Sequence, residues 1–299
     1  MAPTIDNHIR WVLVTYKHVG PDAGDILIEI GIDPVAFTVG SLSVRWYDIM
    51  VIVAGLTVVA WAVYAARKVK FSTNLIYTLA IWGAVGGLIG ARLDNIIDEL
   101  NFYIQNPAQI LGFDGLAIYG AILGATLAIW IARRAYKFRF GPLMDMLAPG
   151  ALLGMAIGRI GCTINGCCYG APTTLPWGLV YTNPNSMAPL GTPTQPAVVY
   201  EMLFDLVLFF IVWKLMDKLR PAGSLFLFFL AVYSFGRFFI ASFRDPASQG
   251  PLFFGWWMQA QIIAVLVLLV TVPLLIARTR WVKSSSDGLP PKVSGEQIS

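Results

Sequence analysis

An arginine placed in lipid must be balanced or must itself balance something. Arg92, Arg159 and Arg237 of this chain fall inside or at the end of long apolar stretches, and a carboxylate, Glu201, falls in another. A charge at the bilayer centre costs about 2.5–3.5 kcal/mol on insertion scales, so each of these residues is a candidate functional group. One carboxylate neutralises one arginine. The excess positive charge suits a phosphate, whose oxygens match the guanidinium fork bidentately. A phosphate able to reach that depth sideways belongs to a phospholipid headgroup. A purely structural Arg92–Glu201–Arg159 network is the competing reading. Tyr233 precedes Arg237 by four residues, on the same helix face, and so shares its surroundings. Tyr47 and Tyr119 open their own apolar stretches, where an aromatic belt is an equally good explanation; Trp256 and Trp257 read as belt.

The segment "GRIGCTINGCCYG" at 158–170 gathers Arg159, Asn165, all three cysteines and four glycines. Three cysteines and two histidines do not make an ordinary four-ligand zinc site, so no metal and no cofactor is expected. A disulfide from Cys162 to Cys167 or Cys168 is compatible with an oxidising side of the membrane. Gly158, Gly161, Gly166 and Gly170 are expected to let the chain leave its helix and turn outward.

The elements that must position these groups follow from composition. Of 299 residues, 57% are hydrophobic and 13% charged, which excludes a soluble globular protein of this size. The net charge of +4 is spread in short clusters between apolar runs, a topology signal rather than a nucleic-acid footprint. A bilayer core about 30 Å thick needs about 20 apolar residues per helix. Seven spans are expected, at about 47–66, 74–92, 115–132, 143–162, 197–216, 224–241 and 255–277. The fold class is therefore an all-α polytopic membrane protein.

Basic clusters after the first, third, fifth and seventh spans place those ends in the cytoplasm, with the N-terminus outside and the C-terminus inside. No cleaved signal peptide is expected, because the apolar run near the N-terminus is broken by Lys17 and His18. The loops at about 93–114, 163–196 and 242–254 then lie outside. The proline-rich 163–196 reads as a small non-helical cap, and "PVAFTVGSLSVRW" around Gly40 as a surface hairpin. The organisation expected is an external arm over 1–46, a membrane domain over 47–280 and a disordered tail over 281–299. Glycines four residues apart, such as Gly86 with Gly90 and Gly120 with Gly124, are expected to pack helices closely.

With these stretches in place, the sequence resembles the prolipoprotein diacylglyceryl transferase family over about residues 34–280. The resemblance is carried by "VRWYDIM", "IGARL", "DGLAIYGAILGA", "GRIGCTINGCCYG", "PTQPAVVYE" and "YSFGRFFIASFRDP". It implies transfer of the diacylglyceryl group of phosphatidylglycerol to the lipobox cysteine thiol of prolipoprotein signal peptides. The products are a thioether and glycerol phosphate, and the site is the bacterial inner membrane, with membrane lipids as surroundings and no nucleic acid. It further implies that Arg159 and Arg237 bind phosphate, and that Tyr47, Arg92, Asn165, Gly170, Tyr233 and Arg244 line the substrate site.

The chain departs from the usual family pattern at defined places. Cys162 and Cys167 stand for an asparagine and a glutamate of the signature, Thr163 for a phenylalanine, Gln195 for a histidine and Ala241 for a glutamate. Tyr119 replaces the third-span histidine usually proposed as base, leaving Tyr119, Glu201 or a water between them as acceptor of the thiol proton. These departures motivate one rival reading, a catalytically inactive phospholipid-binding relative. Arginines in the membrane motivate another, an anion transporter.

Overall fold

The computed structural model describes residues 15–18, 26–40, 42–69, 71–98, 100–105, 107, 118–248, 252–253, 257–278 and 280–281. The tail beyond 283, Trp256 and part of the 93–114 loop lie outside them; the backbone of Trp257 is described, but not its side chain. Seven long helices appear where the sequence predicts spans: α1 (Trp46–Lys68), α2 (Thr73–Asp98), α4 (Ile118–Tyr136), α5 (Phe140–Asn165), α6 (Ala197–Leu215), α7 (Ser224–Ala241) and α8 (Gln259–Arg278), with a short α3 (Leu100–Gln105) after α2. Five of them, α1, α2, α5, α7 and α8, are long and apolar enough to cross a membrane by length and composition alone. Their outward faces carry large apolar side chains such as Ile52, Leu56, Phe235, Leu269 and Ile276, an arrangement only a lipid solvent tolerates. The protein is an all-α, multi-pass membrane protein.

The chain divides into two compact units. The first comprises residues 1–58 and 148–282 and holds the N-terminal strands, most of α5, and α6 to α8. Strands β3 (Val35–Val39) and β4 (Leu42–Arg45) form the expected hairpin, turning at Gly40, whose φ of 62° lies in the left-handed region glycine favours. A second sheet, not anticipated, orders β1 (Thr15–His18) antiparallel to β2 (Ile26–Ile30), and β2 parallel to β5 (Leu179–Tyr181) of the cap. The 166–196 cap is non-helical, as its prolines require. Ile30, Leu179, Tyr181 and Ala188 form its small core. Burial pushes the Tyr181 phenol well above the usual range, and its hydroxyl has no hydrogen-bond partner among the described residues.

The second unit, within residues 59–147, is built on α2 and α4. Gly86 of α2 lies directly against the Gly124 carbonyl and the Ala128 methyl of α4, and Gly124 against Gly86 and the Gly90 Cα. A Cβ on either glycine would overlap the opposite backbone, so the small residues do set this helix pair, as expected in lipid. In the same unit the Trp61 indole Nε1 donates to the Met146 carbonyl at 3.1 Å.

Candidate functional site

The site is organised by α6. Glu201, fully buried one turn into that helix, is the point on which three arginines converge. Arg159 Nη2 of α5 donates to Oε1 at 2.5 Å, Arg237 Nη1 of α7 to Oε2 at 3.1 Å, and Arg244 Nη2, just past α7, also to Oε2. The Tyr233 hydroxyl donates to Oε1 at 3.3 Å. Both carboxylate oxygens are thus committed, each to two donors. Three guanidiniums face one carboxylate. Arg159 Nε is buried with no acceptor among the described residues. A buried charged donor without a partner is costly unless a ligand supplies one.

Exposure separates the arginines. The Arg244 side chain is 2% exposed, whereas those of Arg159 and Arg237 are each 18% exposed. Arg244 is the inner member of the cluster, and Arg159 and Arg237 form its accessible edge. Burial lowers the proton affinity of Arg244, and the neighbouring Glu201 carboxylate works against that shift.

Local backbone chemistry sets this convergence. Arg237 and Tyr233 reach Glu201 because Gly236 lies against the Phe204 ring, where a Cβ would overlap it. Gly170 sits in a three-layer backbone sandwich. It is bridged to Arg244, Ala171 N donates to Phe243 O at 3.0 Å, and Gln195 N donates to Ala171 O at 2.9 Å. A side chain at Gly170 would run into the Gln195 backbone. The signature's closing glycine therefore holds the segment after α7 beside the start of α6. It does so through close approach rather than a special φ.

The expectation that four glycines turn the chain outward holds only at Gly166. Helix α5 continues through Gly158 and Gly161 to Asn165, because glycine in a buried span is kept helical by its backbone hydrogen bonds. Gly161 instead admits α1, lying against Met50 and the Tyr47 Cα, while Gly166 (φ 71°) ends the helix. Asn165, 5% exposed, ties the cap down. Its Oδ1 accepts from Arg45 Nη1 at 3.0 Å, its Nδ2 lies 3.2 Å from the Met187 sulfur, and its carbonyl accepts from Met187 N at 3.1 Å.

Arg159, Arg237, Arg244, Glu201 and Tyr233 therefore come together, with Gly170 supporting them. Arg92 and Tyr119 lie in the second unit. Arg92 stacks over the Tyr103 ring, 5.1 Å from its centroid, and Tyr119 is the second residue of α4.

One residue was not singled out from sequence. Asp205, one turn along α6 from Glu201, is fully buried with neither oxygen hydrogen-bonded among the described residues, in the field of Glu201, Arg159 and Arg237. Its i+4 spacing and its place in an apolar span were the available signal. The disulfide expected from Cys162 to Cys167 or Cys168 is not formed: all three cysteines are free thiols, with their sulfurs within 4.8 Å of one another. Arg159 Nη1 lies 3.9 Å from Cys162 Sγ, and the Cys167 thiol lies 3.8 Å from the Cys162 carbonyl. Hydrogen bonds from Cys162 and Cys167, with the Arg244 and Arg159 guanidiniums, hold the Cys168 thiol well below the usual thiol range. Cys167 is pushed up by its bonds to Cys162 and Cys168 and by burial.

The chain is similar to curated proteins named phosphatidylglycerol–prolipoprotein diacylglyceryl transferase. That of Dehalococcoides mccartyi (strain ATCC BAA-2266 / KCTC 15142 / 195) is 39% identical over 262 residues, covering 87% of this chain and 98% of the relative. That of Coxiella burnetii (strain RSA 331 / Henzerling II) is 36% identical over 247 residues, covering 80% and 92%. A Listeria welshimeri relative is 34% identical over 257 residues, covering 83% and 90%. The model of the prolipoprotein diacylglyceryl transferase family matches residues 34–277, a stretch that holds the whole arginine–glutamate cluster, and the chain belongs to that family.

Proposed function

We infer that the protein transfers the diacylglyceryl group of phosphatidylglycerol to the thiol of a lipobox cysteine in prolipoprotein signal peptides, at the bacterial inner membrane. The observation that carries the reading is the convergence of three guanidiniums on the single carboxylate of Glu201, with a buried Arg159 Nε–H that has no acceptor among the described residues. In the reaction the lipobox sulfur attacks the glyceryl carbon that bears the phosphate. A C–S bond forms, the C–O bond breaks, and its electron pair leaves with the phosphate of glycerol phosphate. Arg159 and Arg237 bind that phosphate and stabilise the charge it gains, usually the largest catalytic contribution.

Glu201, with four donors on its two oxygens, holds the arginines in register and is the positioning residue of the cluster. The thiol proton then goes to Tyr119, to a water beside Glu201, or to Asp205. The charge count favours Asp205. Three guanidiniums, Glu201 and an ionised Asp205 leave one positive charge, which a phosphodiester cancels. The product phosphate monoester brings up to one more negative charge, which protonation of Asp205 offsets. Tyr47, Arg92, Asn165 and Gly170 complete the substrate-side set carried by the family resemblance.

The departure from the usual base is tolerable on energetic grounds. A cysteine thiol has a pKa of about 8.5, so a few per cent is thiolate at neutral pH. The test is transfer by purified protein in detergent to a lipobox peptide, read by mass spectrometry as the diacylglyceryl adduct. Phosphatidylglycerol and phosphatidylethanolamine are compared as donors. Adduct from phosphatidylglycerol supports the reading; lipid binding without any adduct would replace it with a phospholipid-binding role.

A further inference from the structure

We propose that Cys162, Cys167 and Cys168 form a three-thiolate site for a soft monovalent cation, Cu(I). The sulfurs lie within 4.8 Å of one another. With metal–sulfur bonds of about 2.3 Å, trigonal ligands sit about 4 Å apart, so small side-chain rotations complete the site. Convergence of all three is not what two neighbouring residues do by default, since successive side chains in extended chain point to opposite sides. Cys168 is held at φ 60°, a left-handed conformation uncommon outside glycine, and its sulfur nonetheless lies within 4.8 Å of that of Cys167. A disulfide would use two sulfurs and give no account of the third.

The donor set selects the ion. It contains sulfur alone, with no histidine or carboxylate in the group, whereas zinc takes four ligands. Thiolate donors favour Cu(I). The sequence leads to an expectation of no metal, argued from the ligand count of a zinc site; a trigonal thiolate site departs from that expectation. Three thiolates and one Cu(I) carry two net negative charges, and the Arg159 guanidinium, shared with Glu201, lies 3.9 Å from Cys162 Sγ. Cys162 is buried while Cys167 and Cys168 are half-buried, so the ion has an open side from which to enter. Binding replaces S–H bonds with Cu–S bonds, the protons leave to solvent, and no oxidation state changes.

The test uses the full chain in detergent, fully reduced under anaerobic conditions, competing for Cu(I) with a chromogenic chelator. The expected result is one Cu(I) per chain. Cys162→Ser, Cys167→Ser and Cys168→Ser should each lower affinity by more than the roughly 10–100-fold that loss of an outer-shell partner costs. A second readout needs no variant: Cu(I) should protect all three cysteines of the wild-type chain from alkylation, counted by peptide mass spectrometry. Reduced protein with three free thiols that takes up no Cu(I), or copper uptake with unchanged alkylation of any of the three, would overturn the proposal. Neither readout depends on diacylglyceryl transfer, so failure of one reading does not carry the other with it.

Discussion

At the scale of residues, the account rests on a buried carboxylate whose work is to hold cations. Removing one partner of a buried ion pair leaves uncompensated charge, at a cost of about 3–5 kcal/mol. Glu201→Gln is therefore expected to lower thermal stability in detergent as well as transfer, and a stable, fully active variant would show that the arginines hold themselves. The proton acceptor is separable from this. Loss of a general base typically costs about 10²–10⁴-fold. Asp205→Asn should slow transfer by that order and leave lipid binding intact, and the residual rate should rise with pH toward the substrate thiol pKa of about 8.5 as thiolate replaces thiol. If Tyr119→Phe shows that loss and Asp205→Asn does not, the proton passes through α4 instead.

At the scale of elements, the glycines make a sharper prediction than the charges. Gly86 and Gly124 bring two helix backbones into contact, and there is no flexible side chain to yield between them. Gly124→Leu is expected to cost at least the roughly 1–3 kcal/mol of an overpacked core. The check is the yield of monodisperse protein after extraction; a normal yield would mean the pair does not pack this way. Gly170→Ala should instead leave the protein folded and reduce transfer, since it pushes the Arg244 segment away from α6.

Helices of this kind were legible because twenty apolar residues in a row have few alternatives. The hairpin was legible because β-branched residues flank Gly40. The β1–β2–β5 sheet was not, because its strands are short and two of them come from segments far apart in sequence. In the site, Arg159, Arg237 and Glu201 stood out as charges in lipid. Arg244 came only with the family resemblance. It lies beyond the end of α7, where charge is ordinary, and only tertiary contacts bury it. The turning role expected of Gly158 and Gly161 failed for a related reason: in a span, the hydrogen-bonding demand of the backbone overrides glycine's freedom.

At the scale of the whole molecule, the basic clusters predict a cytoplasmic C-terminus and an external cap. A reporter active only in the cytoplasm should work when fused after residue 299, and one active only outside should work within 183–187. The opposite pattern would invert the site relative to the secreted substrate and would be incompatible with the function proposed.

The function proposed requires Arg159 and Arg237 as the phosphate-binding edge of the cluster and Arg244 as its inner support. The direct measurement is the rate of diacylglyceryl adduct formation, alongside phosphatidylglycerol binding, for Arg159→Ala, Arg237→Ala and Arg244→Lys in the same detergent. The account predicts that both alanine variants lose adduct and lipid affinity while staying folded, and that Arg244→Lys keeps lipid affinity. Adduct formation at the wild-type rate by either alanine variant would contradict it.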